Sequence, residues 1–592
     1  MIKPISFYAF IDKISTTRNE NINSPYITTF NGKKIVYGTK QYFEVHRITD
    51  GIITFWDKNE LIVSPLFSKK LQICSKCFLN QRNTYQNVQE KEFITSFNNF
   101  KFNDNWFTHA ITSIIKEPLD TFNLFHYYIL NNFELKLTHF YRVSLCSKCR
   151  ETKDSEVYVL NYFNEMKRNQ MPVKTNVLRS KRKKIRHVLA NENKDSNFFI
   201  FKDLLDANTI STEIYFKHND EEEFISGIGT SSELIDSEEM AIFEALERFT
   251  GTKPVSSKSI YMSMTELSDK GIDYFDPNHY LSNAGVSKKI DNESKIYWTK
   301  SYSSLTQSIY LIPEDFIYYK TLRSKDSKKI VNASSNGHAL GNSMSEAIVF
   351  SIFELLERDA FLVHWYANKK PMEIDKITIC DEEIISDLDK IEGLGYEVHI
   401  FKITLEIDIP IYWVYSEGIG KDRFATYSTS SAHYDSVTAL KSAVGETLLA
   451  LSYYGKGMDS IIEKSKNMTR DEIINVADHP IYYAIQERKK NFSFLNHTYR
   501  IEFENSRPIT EIDLNQYCLS LINKVQKNYG EIFIARTTSK GIEEQGLESV
   551  KVFIPGIQEM YFGDVNQIVN RKRISKYKKI NGVKDFPIHP FP

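Results

Sequence analysis

The feature that most constrains this chain is a pair of helix-like segments that are rich in glutamate and contain no lysine. The segments are Ser237–Arg248 and Asn342–Arg358. At about 100° per residue, the second segment turns its polar residues to one side and its large aliphatic residues to the other. The polar side carries Asn342, Glu346, Glu354 and Glu357. A solvated helix is the ordinary explanation, but such a helix usually mixes lysines among its glutamates, because like charges alone repel each other.

Clustered carboxylates without lysine suit a hard divalent cation. Mg²⁺ prefers oxygen ligands and is commonly held by a few carboxylates together with substrate phosphates. Glu244 and Glu247 on the first segment extend the cluster. Arg248 and Arg358 lie at the ends of the two segments, and their guanidinium groups could bind phosphate oxygens. The loop Asn332–Gly341 has small residues before a helix start, which favours an anion. The sequence therefore predicts a Mg²⁺–nucleotide site built without a P-loop.

Composition is typical of a globular protein of two to four domains. The 592 residues are 41% hydrophobic and 26% charged, and a domain takes about 150 residues. The 75 Lys and Arg balance the 76 Asp and Glu, which excludes the global basic field of a dedicated nucleic-acid binder. The N-terminal segment lacks a secretory apolar core, and no run approaches the roughly 18 apolar residues of a membrane span. We therefore expect a cytoplasmic protein without a membrane span.

Four of the six cysteines form two copies of Cys-Ser-Lys-Cys in the first third of the chain. They are Cys74, Cys77, Cys146 and Cys149. A disulfide framework is unexpected in a reducing compartment, and two such pairs supply the four thiolates of a closed, structural Zn²⁺ site. Two unrelated buried pairs, or one redox pair, are the alternatives. We expect structural zinc.

A basic, polar stretch that begins at Leu178 marks the expected domain boundary. It could bind an acidic peptide or a nucleic acid, but a solvated linker is the commoner origin of such a run, and the same holds for the basic run Arg571–Lys579. We therefore expect an N-terminal region over residues 1–190 and a second domain over residues 195–592.

The second acidic segment resembles the signature of the YcaO superfamily. The pattern NxxxE-x7-ExxER is met by Asn342, Glu346, Glu354, Glu357 and Arg358. Glu244–Arg248 resembles the ExxER helix of that family, and Val552–Gly556 resembles its late strand and turn. Pro590–Pro592 resembles its proline-rich carboxy terminus. The first third of the chain is similar to the E1-like, zinc-holding scaffolds attached to azoline-forming members.

The resemblance implies a mixed α/β fold, in which a C-terminal YcaO-type ATP-binding domain follows a smaller E1-like α/β region. It also implies an ATP- and Mg²⁺-dependent cyclodehydratase that phosphorylates the backbone amide oxygen. Cys residues of a ribosomally made precursor peptide, with Ser and Thr as further candidates, would become thiazolines or oxazolines. In this scheme Mg²⁺ is held by Glu244, Glu247, Glu346, Glu354 and Glu357, and ATP is contacted by Asn342, Arg248 and Arg358. The catalytic tail would consist of Pro590, Phe591 and Pro592.

The resemblance further implies partners. They are the precursor peptide, a separate leader-binding E1-like protein, an azoline dehydrogenase and, in a homodimer, a second copy of this chain. Neither a nucleic acid nor a membrane is expected among them.

Three positions depart from the family pattern. Met240 stands where the first acidic helix usually has a serine, Leu451 stands where a late helix often has an arginine, and Ile588 replaces the first proline of the carboxy-terminal motif. These departures leave two alternatives open. One is a catalytically silent scaffold that docks a precursor peptide and a partner enzyme, and the other is a related enzyme that makes thioamides or amidines.

Overall fold

A computed structural model of the chain describes most residues from 201 to 591 and shorter parts of the first 200. In the first 200 residues the main described segments are 25–30, 33–46, 50–57, 60–64, 126–130, 135–139 and 155–167. From residue 201 onward the larger gaps are 254–259, 322–329, 506–512, 564–567 and 580–585. The expected domain boundary near residues 178–197, the four cysteines of the predicted zinc site and Pro592 lie outside the described residues.

The first strands form a seven-stranded sheet whose strand order follows the chain. The strands are β1 (Lys3–Pro4), β2 (Tyr26–Phe30), β3 (Lys33–Tyr37), β4 (Ile52–Asp57), β5 (Glu60–Val63), β6 (His126–Leu130) and β7 (Leu135–His139). Helix α1 (Lys40–Val45) connects β3 to β4, which pair in parallel. The side chains of Val36, Phe43 and Phe55 are fully buried between these elements. This part of the N-terminal region is thus a mixed α/β unit with its own small core.

A three-stranded antiparallel sheet supports the first acidic helix. The strands are β8 (Phe201–Asp206), β9 (Thr209–His218) and β10 (Glu221–Thr230), and the helix is α3 (Leu234–Thr250). The preceding helix, α2 (Ser155–Lys167), packs elsewhere, on strands β13 and β22 described below. The strand order is β10-β9-β8, and α3 packs on β10. Gly227 and Gly229 allow this close packing, because a Cβ atom at either position would run into the backbone of α3.

A six-stranded sheet forms the centre of the C-terminal part. Its strands are β12 (Ile260–Met262), β13 (Ile296–Ser303), β14 (Ile309–Pro313), β16 (His338–Gly341), β22 (Phe533–Arg536) and β23 (Glu548–Phe553). The order is β12-β13-β22-β23-β16, with β14 also paired to β13. Nearby are the paired strands β11 (Thr252–Lys253) and β15 (Lys320–Thr321) and the short helices α4 (Met264–Asp269), α5 (Pro277–Asn283) and α6 (Glu314–Ile317).

A five-stranded sheet and the longer helices complete the C-terminal part. The strands are β17 (Met372–Ile374), β18 (Tyr396–Lys402), β19 (Ile411–Gly418), β20 (Thr426–Ala432) and β21 (Tyr499–Ile501), in the order β20-β19-β18-β17-β21. The helices are α7 (Met344–Ala367), α8 (Glu382–Gly393), α9 (Ser436–Tyr454), α10 (Met458–Asn467), α11 (Asp478–Tyr482), α12 (Leu514–Tyr529) and α13 (Arg571–Ser575). Helices α8 and α9 pack together against this sheet.

Helix α7 is the central element of the C-terminal part. It packs on β16 and β23 of the six-stranded sheet, on β20 of the five-stranded sheet, and on α12. Within it only Phe350, Glu354 and Arg358 escape full burial. On the predicted acidic face Glu346 and Glu357 are therefore buried, and Glu354 is partly exposed.

Both helices predicted from the acidic segments are confirmed, and both are longer than predicted. Helix α7 begins after Asn342, because Ser343 is its N-cap and accepts a hydrogen bond from the backbone N–H of Glu346 (3.2 Å). None of the helices in the described part of the chain is long and apolar enough to cross a membrane.

Helix α2 precedes the expected domain boundary but packs into the core around α7. Its residues Val159, Tyr162, Phe163 and Met166 are buried in the same hydrophobic cluster as the apolar side of α7. The boundary between residues 190 and 195 stays a prediction, and α2 makes its contacts with the C-terminal part.

Candidate active site

The first turn of α7 holds two of the predicted site residues together. The carboxylate of Glu346 accepts hydrogen bonds from the backbone N–H (2.8 Å) and the side-chain amide (3.1 Å) of Asn342. Because Ser343 caps the same turn, the helix start and the residue before it form one rigid hydrogen-bonded unit. Asn342 and Glu346 are thus adjacent, as the sequence predicted.

Glu354 is fixed by the loop that leads to β16. Its carboxylate accepts a hydrogen bond from the backbone N–H of Gly337 (2.8 Å) and lies 3.9 Å from the guanidinium of Arg358. Gly337 has a φ of 72°, and a Cβ atom there would meet the backbone oxygen of Val552 at 2.6 Å. Only glycine suits this position, since it combines a left-handed conformation with a close approach to a neighbouring strand. The loop predicted to favour an anion therefore binds the carboxylate of a predicted site residue.

The glutamates of α3 reach the same region from the opposite side. Glu247 accepts a hydrogen bond from the backbone N–H of Leu340 in β16 (3.0 Å). Glu244 accepts one from Ile228 in β10 (2.6 Å) and forms an ion pair with Arg248 (2.6 Å). Arg248 also donates to a backbone carbonyl of β10, so its guanidinium ties α3 to the three-stranded sheet.

A third helix contributes a carboxylate that the sequence analysis did not assign. Glu446 of α9 acts electrostatically on Glu357, whose carboxylate accepts a hydrogen bond from Ser430 of β20 (2.9 Å). Glu446 is itself acted on by Glu244 and Glu354. The side chain of Glu446 is exposed. The acidic cluster, as we call it below, consists of Glu244, Glu247, Glu354, Glu357 and Glu446.

The pKa values of the acidic cluster reflect the burial and closeness of its carboxylates. Desolvation, followed by repulsion from Glu354, raises the pKa of Glu247 to about 8. Burial raises the pKa of Glu357 to about 8, with Glu446 adding to the shift and Arg358 opposing it. Desolvation and the neighbouring carboxylates raise the pKa of Glu446 to about 7. Burial and mutual repulsion thus raise the pKa of Glu247, Glu357 and Glu446 above that of a solvated glutamate.

Glu346 lies eight residues before Glu354 on α7, which is about 12 Å along a helix axis. Its carboxylate accepts hydrogen bonds from Asn342, whereas electrostatic contacts join the members of the acidic cluster to one another. The assignment of all five predicted glutamates to one Mg²⁺ site stays a prediction.

The segment before the C-terminus packs directly on a predicted ATP residue. The ring centroid of Phe591 lies 4.2 Å from the guanidinium carbon of Arg358 and 4.9 Å from the ring of Phe361. Phe591 is buried, and the guanidinium of Arg358 also donates to the sulfur of Met560 (3.3 Å). Two residues of the predicted catalytic tail, Pro590 and Phe591, are therefore core residues beside the acidic cluster.

Three side chains hold the backbone of this segment. The carbonyl of Ile588 accepts hydrogen bonds from Trp365 Nε1 (3.0 Å) and from the hydroxyl of Tyr483 (2.6 Å). The Nδ1 atom of His479 donates to the carbonyl of His589 (2.8 Å), and the two imidazoles stack with centroids 4.0 Å apart. Chain ends usually fray, but these bonds order this one.

Sequence analysis also missed a buried lysine. Lys551 points from β23 to the backbone carbonyls of Asn336 and Ser334, in the loop that binds Glu354. Burial lowers its pKa, and Glu559 and Glu354 oppose the shift. A single lysine inside the otherwise apolar stretch Val550–Phe553 was the signal that could have identified it.

A second missed group comes from the basic run near the C-terminus. Arg573 is buried and forms a bidentate pair with Asp359, with the closest contact at 2.6 Å, and it also contacts Glu406. The carboxylate of Asp359 in turn accepts the backbone N–H of Gln558 (2.7 Å). The interpretation of this run as a solvated face is thus wrong for Arg573. Its guanidinium group binds Asp359, the residue after Arg358.

The three departures from the family pattern occupy different environments. Met240 is half-exposed on α3, whereas Leu451 and Ile588 are buried in the main core. Leu451 therefore contributes to packing where an arginine was expected. The peptide bond of Ile588 still provides the carbonyl that Trp365 and Tyr483 bind.

The donor set of the acidic cluster suits Mg²⁺ bound together with phosphates. Its donors are all carboxylate oxygens, the ligands that Mg²⁺ prefers, and Mg²⁺ usually takes one or two carboxylates together with waters and substrate phosphates. Among the described residues, no group of three His, Cys, Asp or Glu side chains that could hold a metal ion is found. The predicted zinc ligands lie outside the described residues, and structural zinc stays a prediction.

Comparison with known proteins gives a family for the chain. Residues 228–558 match the model of the YcaO cyclodehydratases, a family described as binding ATP and Mg²⁺. An uncharacterized protein of Methanothermobacter thermautotrophicus is 21% identical over 348 residues, which are 57% of this chain and 82% of that protein.

Two solved structures share the fold. A heterocyclase in complex with substrate and cofactor superposes with a TM-score of 0.61 at 15% identity, covering 95% of this chain and 80% of that one. The heterocyclase TruD superposes with a TM-score of 0.50 at 15% identity, covering 94% of this chain and 74% of that one. Both likenesses extend well beyond residues 228–558.

Proposed function

We propose a function for this chain from one premise: it belongs to the YcaO cyclodehydratase family, whose model it matches over more than half of its residues. The chain would use ATP and Mg²⁺ to convert Cys residues of a ribosomally made precursor peptide into thiazolines, with Ser and Thr giving oxazolines. The observation that carries this proposal is the acidic cluster, in which three helices bring five glutamates within electrostatic reach of one another and of Arg358.

The chemistry follows from the poor leaving ability of an amide oxygen. The side-chain sulfur of a Cys adds to the carbonyl carbon of the preceding residue and loses its proton. The carbonyl oxygen takes the γ-phosphoryl group of ATP, and its bond to carbon then breaks with release of phosphate. Loss of the amide proton leaves a C=N bond, so each ring removes one water and turns one ATP into ADP and phosphate. As in other phosphoryl transfers, the protein mainly positions reactants and offsets charge.

The predicted site residues have distinct proposed roles. Mg²⁺ would offset phosphate charge and would be held by carboxylates of the acidic cluster together with phosphate oxygens. Glu346 would also hold Mg²⁺, and Asn342, its hydrogen-bond partner, would contact ATP. Arg248 and Arg358 would contact phosphate oxygens through planar guanidinium groups. The raised pKa values of the acidic cluster support this, because a bound cation would allow its carboxyls to release their protons.

The tail would orient the peptide. Pro590, Phe591 and Pro592 are proposed to lie where the attacking side chain enters, since Phe591 rests on Arg358. A separate leader-binding E1-like protein would deliver the precursor peptide, and an azoline dehydrogenase would oxidise the rings. Zinc held by the four paired cysteines would stabilise the N-terminal region.

Glu354→Gln tests the proposal, because it removes a cluster charge while keeping the side-chain shape. We expect Mg²⁺-dependent ATP turnover to fall at least about a hundredfold, the scale on which one electrostatic group contributes to a transition state. Phosphate release is measured with Cys-containing peptides, and mass spectrometry scores a loss of about 18 Da, one water, for each ring. The matched control is Glu463→Gln, on the exposed side of α10. Turnover at the wild-type rate in Glu354→Gln would contradict the proposal.

A further inference from the structure

A tyrosine from outside the family-matched residues completes the start of α7. The backbone N–H of Ser345 donates to the hydroxyl of Tyr162 in α2 (3.1 Å). That hydroxyl is also 2.9 Å from the Ser345 side-chain oxygen, which donates in turn to Asn515 of α12 (2.6 Å). Tyr162 and Ser345 are both buried. Three elements distant in sequence thus meet at one helix terminus.

We propose that Tyr162 is a positioning residue for the nucleotide end of the active site, acting through the first turn of α7. This inference rests on the proposed function, in which Asn342 and Glu346 bind Mg²⁺–ATP. Because Tyr162 lies before residue 228, where the family match begins, the N-terminal part of the chain would complete the site.

The need for this hydroxyl follows from helix geometry. The first backbone N–H groups of a helix have no partner within the helix. Ser343 satisfies the N–H of Glu346, and Tyr162 satisfies the N–H of Ser345. Without the hydroxyl, a buried donor next to Glu346 would lose its partner, which is costly enough to move the turn. The pair Asn342 and Glu346 would then lose its fixed orientation.

Two further contacts hold α2 in place. Phe163, the next residue, stacks on Tyr302 of β13 with ring centroids 4.4 Å apart. Met166 lies one turn further and contacts the Ser345 side chain through its sulfur (3.1 Å). The ring of Tyr162 could pack here without its oxygen, so the hydroxyl serves to bind the backbone N–H of Ser345 at the start of α7.

Tyr162→Phe in the full-length chain tests the inference, because it removes only the hydroxyl. The matched control is Tyr302→Phe, which keeps the stack on Phe163 and stays away from Ser345. Titration calorimetry with Mg²⁺ and a non-hydrolysable ATP analogue gives the dissociation constant, and circular dichroism confirms folding. We expect binding to weaken about tenfold in Tyr162→Phe, which equals about 1.4 kcal/mol. The KM for ATP should rise equally, kcat should change little, and Tyr302→Phe should behave as wild type.

Each outcome has a defined meaning. Unchanged nucleotide affinity in folded Tyr162→Phe would overturn the inference while leaving the proposed function intact, and so would an equal loss in Tyr302→Phe. Failure of the wild-type chain to bind the analogue would instead overturn the proposed function, and the inference with it.

Discussion

Replacing Glu357 by glutamine should stabilise the ligand-free protein, by an amount that grows with pH. Folding raises the pKa of this carboxyl from 4.5 to about 8, chiefly through burial. A group whose pKa is raised by folding contributes its full stability below its unfolded pKa and loses it as pH rises through its folded pKa. The loss for Glu357 therefore falls between about pH 4.5 and 8. Glutamine has no proton to lose, and its side-chain oxygen can still accept the hydrogen bond from Ser430.

The size of the effect follows from these two pKa values. Near pH 7 an unfolded glutamate has released its proton while Glu357 still holds it, which costs the folded state about 3 kcal/mol, compared with about 1 kcal/mol near pH 5. Unfolding of a domain of roughly 400 residues has an entropy of about 2.1 cal/mol/K per residue. The melting temperature should therefore rise by about 4 °C near pH 7 and by about 1 °C near pH 5.

Differential scanning fluorimetry at the two pH values measures this difference. Saturating Mg²⁺ and ATP should remove most of the difference in melting temperature between Glu357→Gln and wild type, because the wild-type protein gains binding energy that Glu357→Gln lacks. The same substitution at exposed Glu463 serves as the control and should stay within about 0.5 kcal/mol of wild type. If Glu357→Gln changes the melting temperature equally at both pH values, or no more than the control does, the crowding assigned to the acidic cluster is refuted.

Two further predictions concern the tail and the cysteines. Phe591→Ala should lower stability by about 3–5 kcal/mol, as expected for a truncated core phenylalanine, and should abolish ring formation in the mass-spectrometric assay. Phe350→Ala, on an exposed part of α7, is the control, and normal ring formation by Phe591→Ala would exclude the tail from catalysis. Purified protein should carry about one Zn²⁺ per chain, and Cys74→Ser or Cys146→Ser should release it and lower the melting temperature. Elemental analysis that finds no zinc in washed wild-type protein would disprove this.

The sequence predicted those parts of the site that depend on local pattern. The periodicity of the two acidic segments correctly gave α3 and α7, because an amphipathic helix is encoded within its own residues. The absence of lysine led to the prediction of a cation site, and two of the glutamates of the second segment, Glu346 and Glu357, are buried. The signature of the second segment led to the family that the comparison supports over residues 228–558.

The remaining parts depend on contacts between distant segments. Glu446 enters the acidic cluster from a third helix, and no periodicity in α9 indicates where that helix docks. The burial of Arg573 depends on Asp359, more than two hundred residues earlier in the chain. Tyr162 lies in a helix that looked like part of the N-terminal region but packs beside Ser345. Such partners are set by tertiary packing, and a single sequence does not reveal them.

The enclosure of α7 has a consequence for the dynamics of the catalytic cycle. A helix that contacts both large sheets and α12 cannot tilt or unwind without disrupting the core. Its backbone amides should thus exchange with deuterated solvent only through global unfolding, whereas exposed loops open locally at far lower free energy. The helix therefore holds Glu354 and Glu357 at fixed positions. Entry and release of a ligand must then depend on movements of the surrounding loops.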